Sequence, residues 1–174
     1  MLISEKVNQS INQQIGNELG ASHQYIAMAN YFSDEGLLGL SKFFYHQADE
    51  EREHALKFNK FLLDSGGRSE IPLVKAPQSR FESPLEALQL ALDWENEVTR
   101  QINEIYGLAN HENDFVTQNF LNWFLAEQLE EVSTMDTLVK VAKRAGSSLL
   151  FLEEFVARHG NALREAGAPG PSDS

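Results

Sequence analysis

Glu51 and His54 stand three residues apart in Glu51-Arg52-Glu53-His54, a spacing that puts both on one face of a helix. The same face otherwise carries Phe44, Phe58 and Phe61. A carboxylate and an imidazole inside an apolar stripe are unfavourable to bury unless something pairs them. A metal ion does so, and takes both groups as ligands. Glutamates interrupt three further apolar rows: Glu18 in one, Glu95 in another, Glu127 and Glu131 in a third.

Those rows belong to helices. The apolar period is helical along the whole chain, and strand-like alternation is absent. The pattern predicts a first helix over about 5–33 with Ser4 as its cap, then a turn at Asp34-Glu35-Gly36. A second helix follows over about 38–64, stopped by Gly66-Gly67. Residues 68–82, with Pro72 and Pro77, read as an extended crossing. Ser83-Pro84-Leu85-Glu86 predicts a capping box at the start of a third helix, which runs to about Asn110. Asp114 caps a fourth helix that ends at Ala145, before Gly146. A fifth, shorter helix spans about 148–165, and 166–174 reads as a disordered tail. The fifth helix's face of Leu149, Leu152, Phe155 and Val156 is too apolar for water and predicts a neighbouring subunit over it. Two short turns and one long crossing predict an all-α, one-crossover four-helix bundle with a short fifth C-terminal helix, in one domain over 1–165.

The predicted core-facing rows step by three and four. The first helix offers Ile11, Ile15, Glu18, Ser22, Tyr25, Ala29 and Phe32, the second Phe44, Gln47, Glu51, His54, Phe58 and Phe61. The third offers Leu85, Leu88, Leu92, Glu95, Thr99, Ile102 and Tyr106, the fourth Phe120, Phe124, Glu127, Glu131, Thr134, Leu138 and Val141. Height tests whether the interruptions meet. Glu18 lies 18 residues before Gly36, and Glu51 and His54 lie 15 and 18 after it. Glu95 lies 17 before Glu112, and Glu127 and Glu131 lie 15 and 19 after it. At about 1.5 Å per residue these groups are level to within roughly one turn, at mid-bundle. Clustered carboxylates in a low-dielectric core raise one another's pKa. Two divalent cations remove that conflict. Oxygen-rich ligation with one imidazole suits iron or manganese, not copper electron transfer or a closed tetrahedral zinc site.

Composition narrows the classes further. A formal net charge of −12 argues against nucleic acid as a partner and favours cations. The absence of cysteine removes disulfides, thiolate zinc sites and iron–sulfur clusters. No stretch predicts a signal peptide or a membrane span, so a cytoplasmic location is the expectation.

Glu18, Tyr25, Glu51-x-x-His54, Glu95 and Glu127-Gln128-x-Glu130-Glu131 resemble the pattern of the bacterial non-haem ferritins, over about residues 1–165. The resemblance implies a shell of 24 subunits with a di-iron ferroxidase centre inside each bundle. It implies one iron at Glu18, Glu51 and His54, and a second at Glu51, Glu95 and Glu131, with Glu51 bridging. It implies a third iron site at Glu50, Glu127, Glu130 and Glu131. Gln128 is similar to a glutamine beside the second iron of animal ferritins. Tyr25 and Trp123 match aromatics near the centre and are implied electron donors. The chain also departs from relatives of this type. Thr134 stands where a second Glu-x-x-His would place its histidine, so the second site should be weaker. Arg52 stands where bacterioferritins carry a haem-ligating methionine, so no haem is expected.

The implied function is iron storage with oxidation of Fe(II) by dioxygen or peroxide and ferric oxyhydroxide laid down inside the cage. A di-iron oxygenase or peroxidase is one rival, and a DNA-protecting mini-ferritin is another. Plainer roles stand beside the chemical ones. Glu50, Glu127 and Glu130 also fit a solvated flank, Trp123 also fits packing, and His46 reads as structural. His23, His111 and His159 read as surface residues, and Glu112 and Asp114 fit either an ion pore or an ordinary capped turn.

Overall fold

The computed structural model describes residues 2–165, with side chains as far as Gly160. Its regular structure is α1 (Glu5–Asp34), α2 (Leu38–Asp64), α3 (Pro84–His111), α4 (Phe115–Ala145) and α5 (Leu149–Glu165). Every boundary falls within a residue or so of the sequence expectation, because the signals that stop these helices are local. The predicted tail lies outside the described residues.

Caps explain the starts. Ser4 Oγ accepts the Val7 N–H at 3.2 Å, Ser83 Oγ accepts that of Glu86 at 3.2 Å, and Asp114 accepts that of Thr117 at 2.9 Å. Each satisfies a backbone donor that the first helical turn leaves without a partner. The capping box at α3 is displaced by one residue: Glu86 takes the Glu82 N–H at 2.6 Å, not that of Ser83. α2 begins after Leu37, which has no side chain to cap with. Its free donors are met from elsewhere: Glu153 on α5 accepts from Gly39 at 2.7 Å and from Leu40 at 2.9 Å. A carboxylate at a helix N-terminus also complements the helix dipole. A Cβ on Gly39 would sit 3.0 Å from Glu153 Oε2, so glycine leaves room for this cap.

α1 pairs with α2, α3 pairs with α4, α1 also meets α3, and α5 lies on α2 and α4. The fifth helix differs from expectation. Leu152 and Val156 are buried in the apolar cluster of their own bundle, with Leu149 and Phe155 partly buried beside it. The subunit covers that face itself; among the described residues of α5, Leu150 and Phe151 are the exposed large apolar side chains.

Residues 68–82 are extended, and α1 receives them through side-chain amides. Asn8 donates to the Arg68 carbonyl at 3.1 Å and accepts the Arg68 N–H at 2.9 Å. Asn12 donates to the same carbonyl at 2.8 Å and accepts the Glu70 N–H at 2.6 Å. The buried Gln24 donates to the Gln78 carbonyl at 2.8 Å and accepts the Gln78 N–H at 2.9 Å. Amides thus stand in for the backbone partners that a strand would have found in a sheet. Pro72 closes the contact: a Cβ on Gly16 would lie 2.3 Å from its Cγ.

The long axis carries two apolar clusters, one around Phe32, Phe44, Leu88 and Leu138, the other around Ile11, Phe58, Ile102 and Phe124. The site lies between them.

Candidate metal centre

The gap between the clusters falls at one level on all four helices. It separates Ile15 from Ala21 on α1, Ala48 from Ala55 on α2, Ala91 from Val98 on α3, and Phe124 from Met135 on α4. Glu18, Glu51, His54, Glu95, Gln128 and Glu131 are buried there. The residue count from the two turns therefore located the waist.

Glu18, Glu51 and His54 can each offer one ligand atom such that all three lie within 4.8 Å of one another, and all are at least 96% buried. Two oxygens in this group, Glu18 Oε2 and Glu51 Oε2, are buried without a hydrogen-bond partner. His54 Nδ1 comes within 3.3 Å of Glu51 Oε2 without making a hydrogen bond to it. Buried polar atoms are rarely left so. Oxygen and nitrogen donors converging on a point with lone pairs to spare fit a hard or borderline divalent cation.

Electrostatics points the same way. Burial, then the Glu51 charge, holds Glu18 well above the ordinary glutamate range. Burial and Glu95 do this to Glu51. Burial, then Glu95 and Glu51, do it to Glu131. Burial raises Glu95 too, opposed by hydrogen bonds from Tyr25 and Gln128. Without added positive charge burial biases these carboxylates toward holding protons, and Glu18 and Glu51 are close enough to share one; bound cations favour the ionised form of all of them.

Three buried amides hold the carboxylates in place. Gln14 donates to Glu18 Oε1 at 2.9 Å. Gln47 donates to Glu131 at 3.2 and 3.3 Å and to Glu50 Oε2 at 2.8 Å. Gln128 donates to Glu95 Oε2 at 3.1 Å and to Thr99 Oγ1 at 3.2 Å. Glu51 has no such amide and faces the buried carboxylates of Glu18, Glu95 and Glu131 and the His54 imidazole. Such outer contacts orient ligands and tune a metal. The sequence reading put Gln47 on its helix row without a role and passed over Gln14. The signal for Gln14 was its place four residues before Glu18, one turn away on the same face.

The predicted sites separate as follows. The first-iron residues form the tight group. Glu95 and Glu131 are neighbours of Glu51 through charge but stand outside that group, tied by Tyr25, Gln128 and Gln47. Glu50, Glu127 and Glu130 are partly buried. Glu130 Oε2 is another unpartnered oxygen, and burial raises Glu127. The predicted row on α4 needs correction: Gln128 is 3% exposed and on the seam, whereas Glu127 is on its flank. On α3 the buried positions include Ala87, Ala91, Val98, Ile105 and Ala109, not the larger Leu85, Leu92 and Tyr106 of the predicted row. Small residues let the helices approach, and choosing rows by side-chain size overlooks them.

Tyr25 is fully buried and donates to Glu95 Oε1. Trp123 is partly buried, with its ring 5.4 Å from that of His54 at 75° and the Lys57 Nζ 3.4 Å from its own centroid. His46 Nδ1 meets Glu50 Oε1 at 3.3 Å. His23, His111 and His159 are exposed, as expected.

Comparison with known proteins agrees with this geometry. Ferritin BfrB of Mycobacterium tuberculosis is 48% identical over 165 residues, spanning 94% of this chain and 91% of the relative. A bacterial non-heme ferritin of Staphylococcus aureus is 38% identical over 155 residues, 88% and 93% of the two. The open pore ferritin of the archaeon Archaeoglobus fulgidus superimposes with a TM-score of 0.87 at 37% identity, covering 90% of this chain and 97% of that one. Residues 8–145 match the ferritin-like domain family. The chain belongs to the ferritin-like family.

Proposed function

We propose that this protein stores iron and oxidises it on entry. Two Fe(II) ions are the substrate. Glu18, Glu51 and His54 take one, Glu51, Glu95 and Glu131 take the other, and Glu51 bridges them. Each iron gives one electron to dioxygen, which with two protons leaves as hydrogen peroxide; peroxide itself serves as an alternative oxidant. The carboxylates favour the more highly charged Fe(III) and so make oxidation easier. Glu50, Glu127 and Glu130, with Glu131, hold a third iron on the flank of the bundle. Gln128 positions Glu95, and Tyr25 and Trp123 are the oxidisable side chains nearest the centre. Fe(III) then passes to the interior of a cage of 24 copies and is deposited as ferric oxyhydroxide. The exposed Leu73, Phe115, Leu129 and Leu150 suit contacts between copies. Arg52 in place of a methionine ligand supports a haem-free particle. Among the described residues no helix is long and apolar enough to cross a membrane, and we place the protein in the cytoplasm. Residues 1–165 act as the whole di-iron domain.

One observation carries this reading. Glu18, Glu51 and His54 converge to within 4.8 Å with two buried oxygens unpartnered, flanked by Glu95 and Glu131. Aerobic addition of Fe(II) to metal-free protein tests it. The near-ultraviolet absorbance of Fe(III) should rise in a fast phase that Glu51→Ala removes. An unchanged fast phase in that variant would refute the assignment.

A further inference from the structure

Trp123 is chemically vulnerable. Indole is among the most easily oxidised side chains, and this one touches the ring of the iron ligand His54. The reaction proposed above makes hydrogen peroxide beside it. An indole that takes one oxygen atom from peroxide, with water leaving, is permanently changed. The ring also packs against Phe124, a buried side chain of the apolar cluster below the waist, so the damage would reach the core.

We propose that the Lys57 ammonium shields Trp123 from oxidation at the iron centre. Lys57 lies one turn after His54 on α2, with its Nζ 3.4 Å from the centroid of the indole. The attraction between an ammonium and a π face is strongest when the ring is electron-rich. Removing an electron, or drawing density toward an electrophilic oxygen, turns that attraction into repulsion. The cation therefore stabilises the reduced ring and opposes its oxidation. Contact with the ring also desolvates Lys57 enough to lower its affinity for a proton, against the pull of Glu127, Glu53 and Glu50. Those three carboxylates favour the charged ammonium form. Tyr25 is placed differently, because its hydroxyl donates to Glu95 and a proton acceptor is in position should the phenol give up an electron. Lys57 acts through Trp123 and holds none of the proposed irons itself, so it is a positioning residue for this chemistry.

The inference rests on the ferroxidase reading, and one experiment separates the two. Wild-type protein, Lys57→Met and Lys57→Arg are taken through repeated cycles of Fe(II) and dioxygen, with iron oxidation followed in each cycle. The peptides holding Trp123 and Trp94 are then weighed for added oxygen. In Lys57→Met the oxidised fraction at Trp123 should rise about two- to fivefold, what a cation–ring contact of about 0.5–1 kcal/mol at an exposed lysine supports. Lys57→Arg keeps the charge and should stay at the wild-type level. Trp94, on the crossing side of α3, should not change in any variant. Equal modification of Trp123 in wild type and Lys57→Met, with normal iron oxidation, would overturn the shield. So would an equal rise in Lys57→Arg and Lys57→Met, which would mark loss of packing in place of loss of charge. Failure of the wild-type protein to oxidise iron would overturn the ferroxidase reading beneath it.

Discussion

The crossing and the waist both put polar side chains against the interior of one helix bundle, and they do so on opposite terms. Along α1, Asn8, Asn12 and Gln24 meet the backbone of residues 68–78 with donor matched to acceptor. At the waist the same helix presents Glu18 with one oxygen held by Gln14 and the other unpartnered. The first arrangement is complete within the chain. The second is complete only with a ligand. Neutral amides at the crossing also carry no charge to desolvate, whereas burial disfavours the charged forms of Glu18, Glu51 and Glu131. The lesson is that burial of a polar group alone says little; whether its partners are present separates scaffold from site.

Metal loading should separate the two regions most widely. A cation that binds the native waist and not the unfolded chain adds about 4 kcal/mol at a thousandfold excess over its dissociation constant. Calorimetry of metal-free protein with and without Mn(II), a redox-stable stand-in for Fe(II), should show a higher melting temperature on loading. Glu51→Ala should lose that rise, while a crossing variant such as Gln24→Leu keeps it.

Substitution at the crossing and at the waist should have opposite signs. Gln24→Leu leaves the Gln78 N–H and carbonyl without their partners and should destabilise by about 1–3 kcal/mol, metal or not. Glu18→Gln removes a carboxyl whose charged form is disfavoured and should leave the metal-free protein as stable or more stable at neutral pH, while weakening metal binding. Chemical denaturation of each variant with and without Mn(II) measures both. If Glu18→Gln instead destabilised the metal-free protein like Gln24→Leu, the contrast would fail.

pH sharpens the same point. Because Glu18, Glu51 and Glu131 bind protons more tightly folded than unfolded, their contribution is full below the ordinary glutamate value of 4.5 and is lost as pH rises through their raised values. The metal-free protein should therefore lose stability as pH climbs above that range, and Glu18→Gln should flatten the slope. Glu97, on the surface, has the opposite sign: hydrogen bonds from Arg100 and Gln101 hold it at about 2, so its contribution fades only as pH falls toward that value. Melting temperatures across the pH range check both slopes. The amide frame should act on metal binding alone. Gln14→Leu should weaken metal binding by about 10- to 100-fold with the fold intact, as for residues that orient ligands, measured by anaerobic titration with Fe(II).

Much of this was legible in the sequence, for physical reasons. Ser4, Ser83, Asp114 and the turn at Gly36 act within a few residues, so the helices could be bounded without tertiary knowledge. The level of the waist followed from constant rise per residue. What escaped was non-local or chemically anonymous. Glu153 caps α2 from α5, a contact no local rule shows. Glutamine is an ordinary helix residue, so Gln14 looked like any solvated position, and Gln47, though on the core-facing row, showed no role. The flank position of Glu127 and the seam position of Gln128 differ by one residue, about 100° of helix, and apolar type could not separate them. Cover for α5 comes from its own bundle because the short connection at residues 146–148 returns it to α2 and α4, a path the apolar face alone does not reveal.

Anomalous diffraction at the iron edge, from crystals soaked anaerobically in Fe(II), tests the central claim most directly. The account predicts two strong peaks at the waist, one against Glu18, Glu51 and His54 and the other reached by Glu51, Glu95 and Glu131. A waist without anomalous density, its glutamates still hydrogen-bonded to Gln14, Gln47 and Gln128, would contradict it.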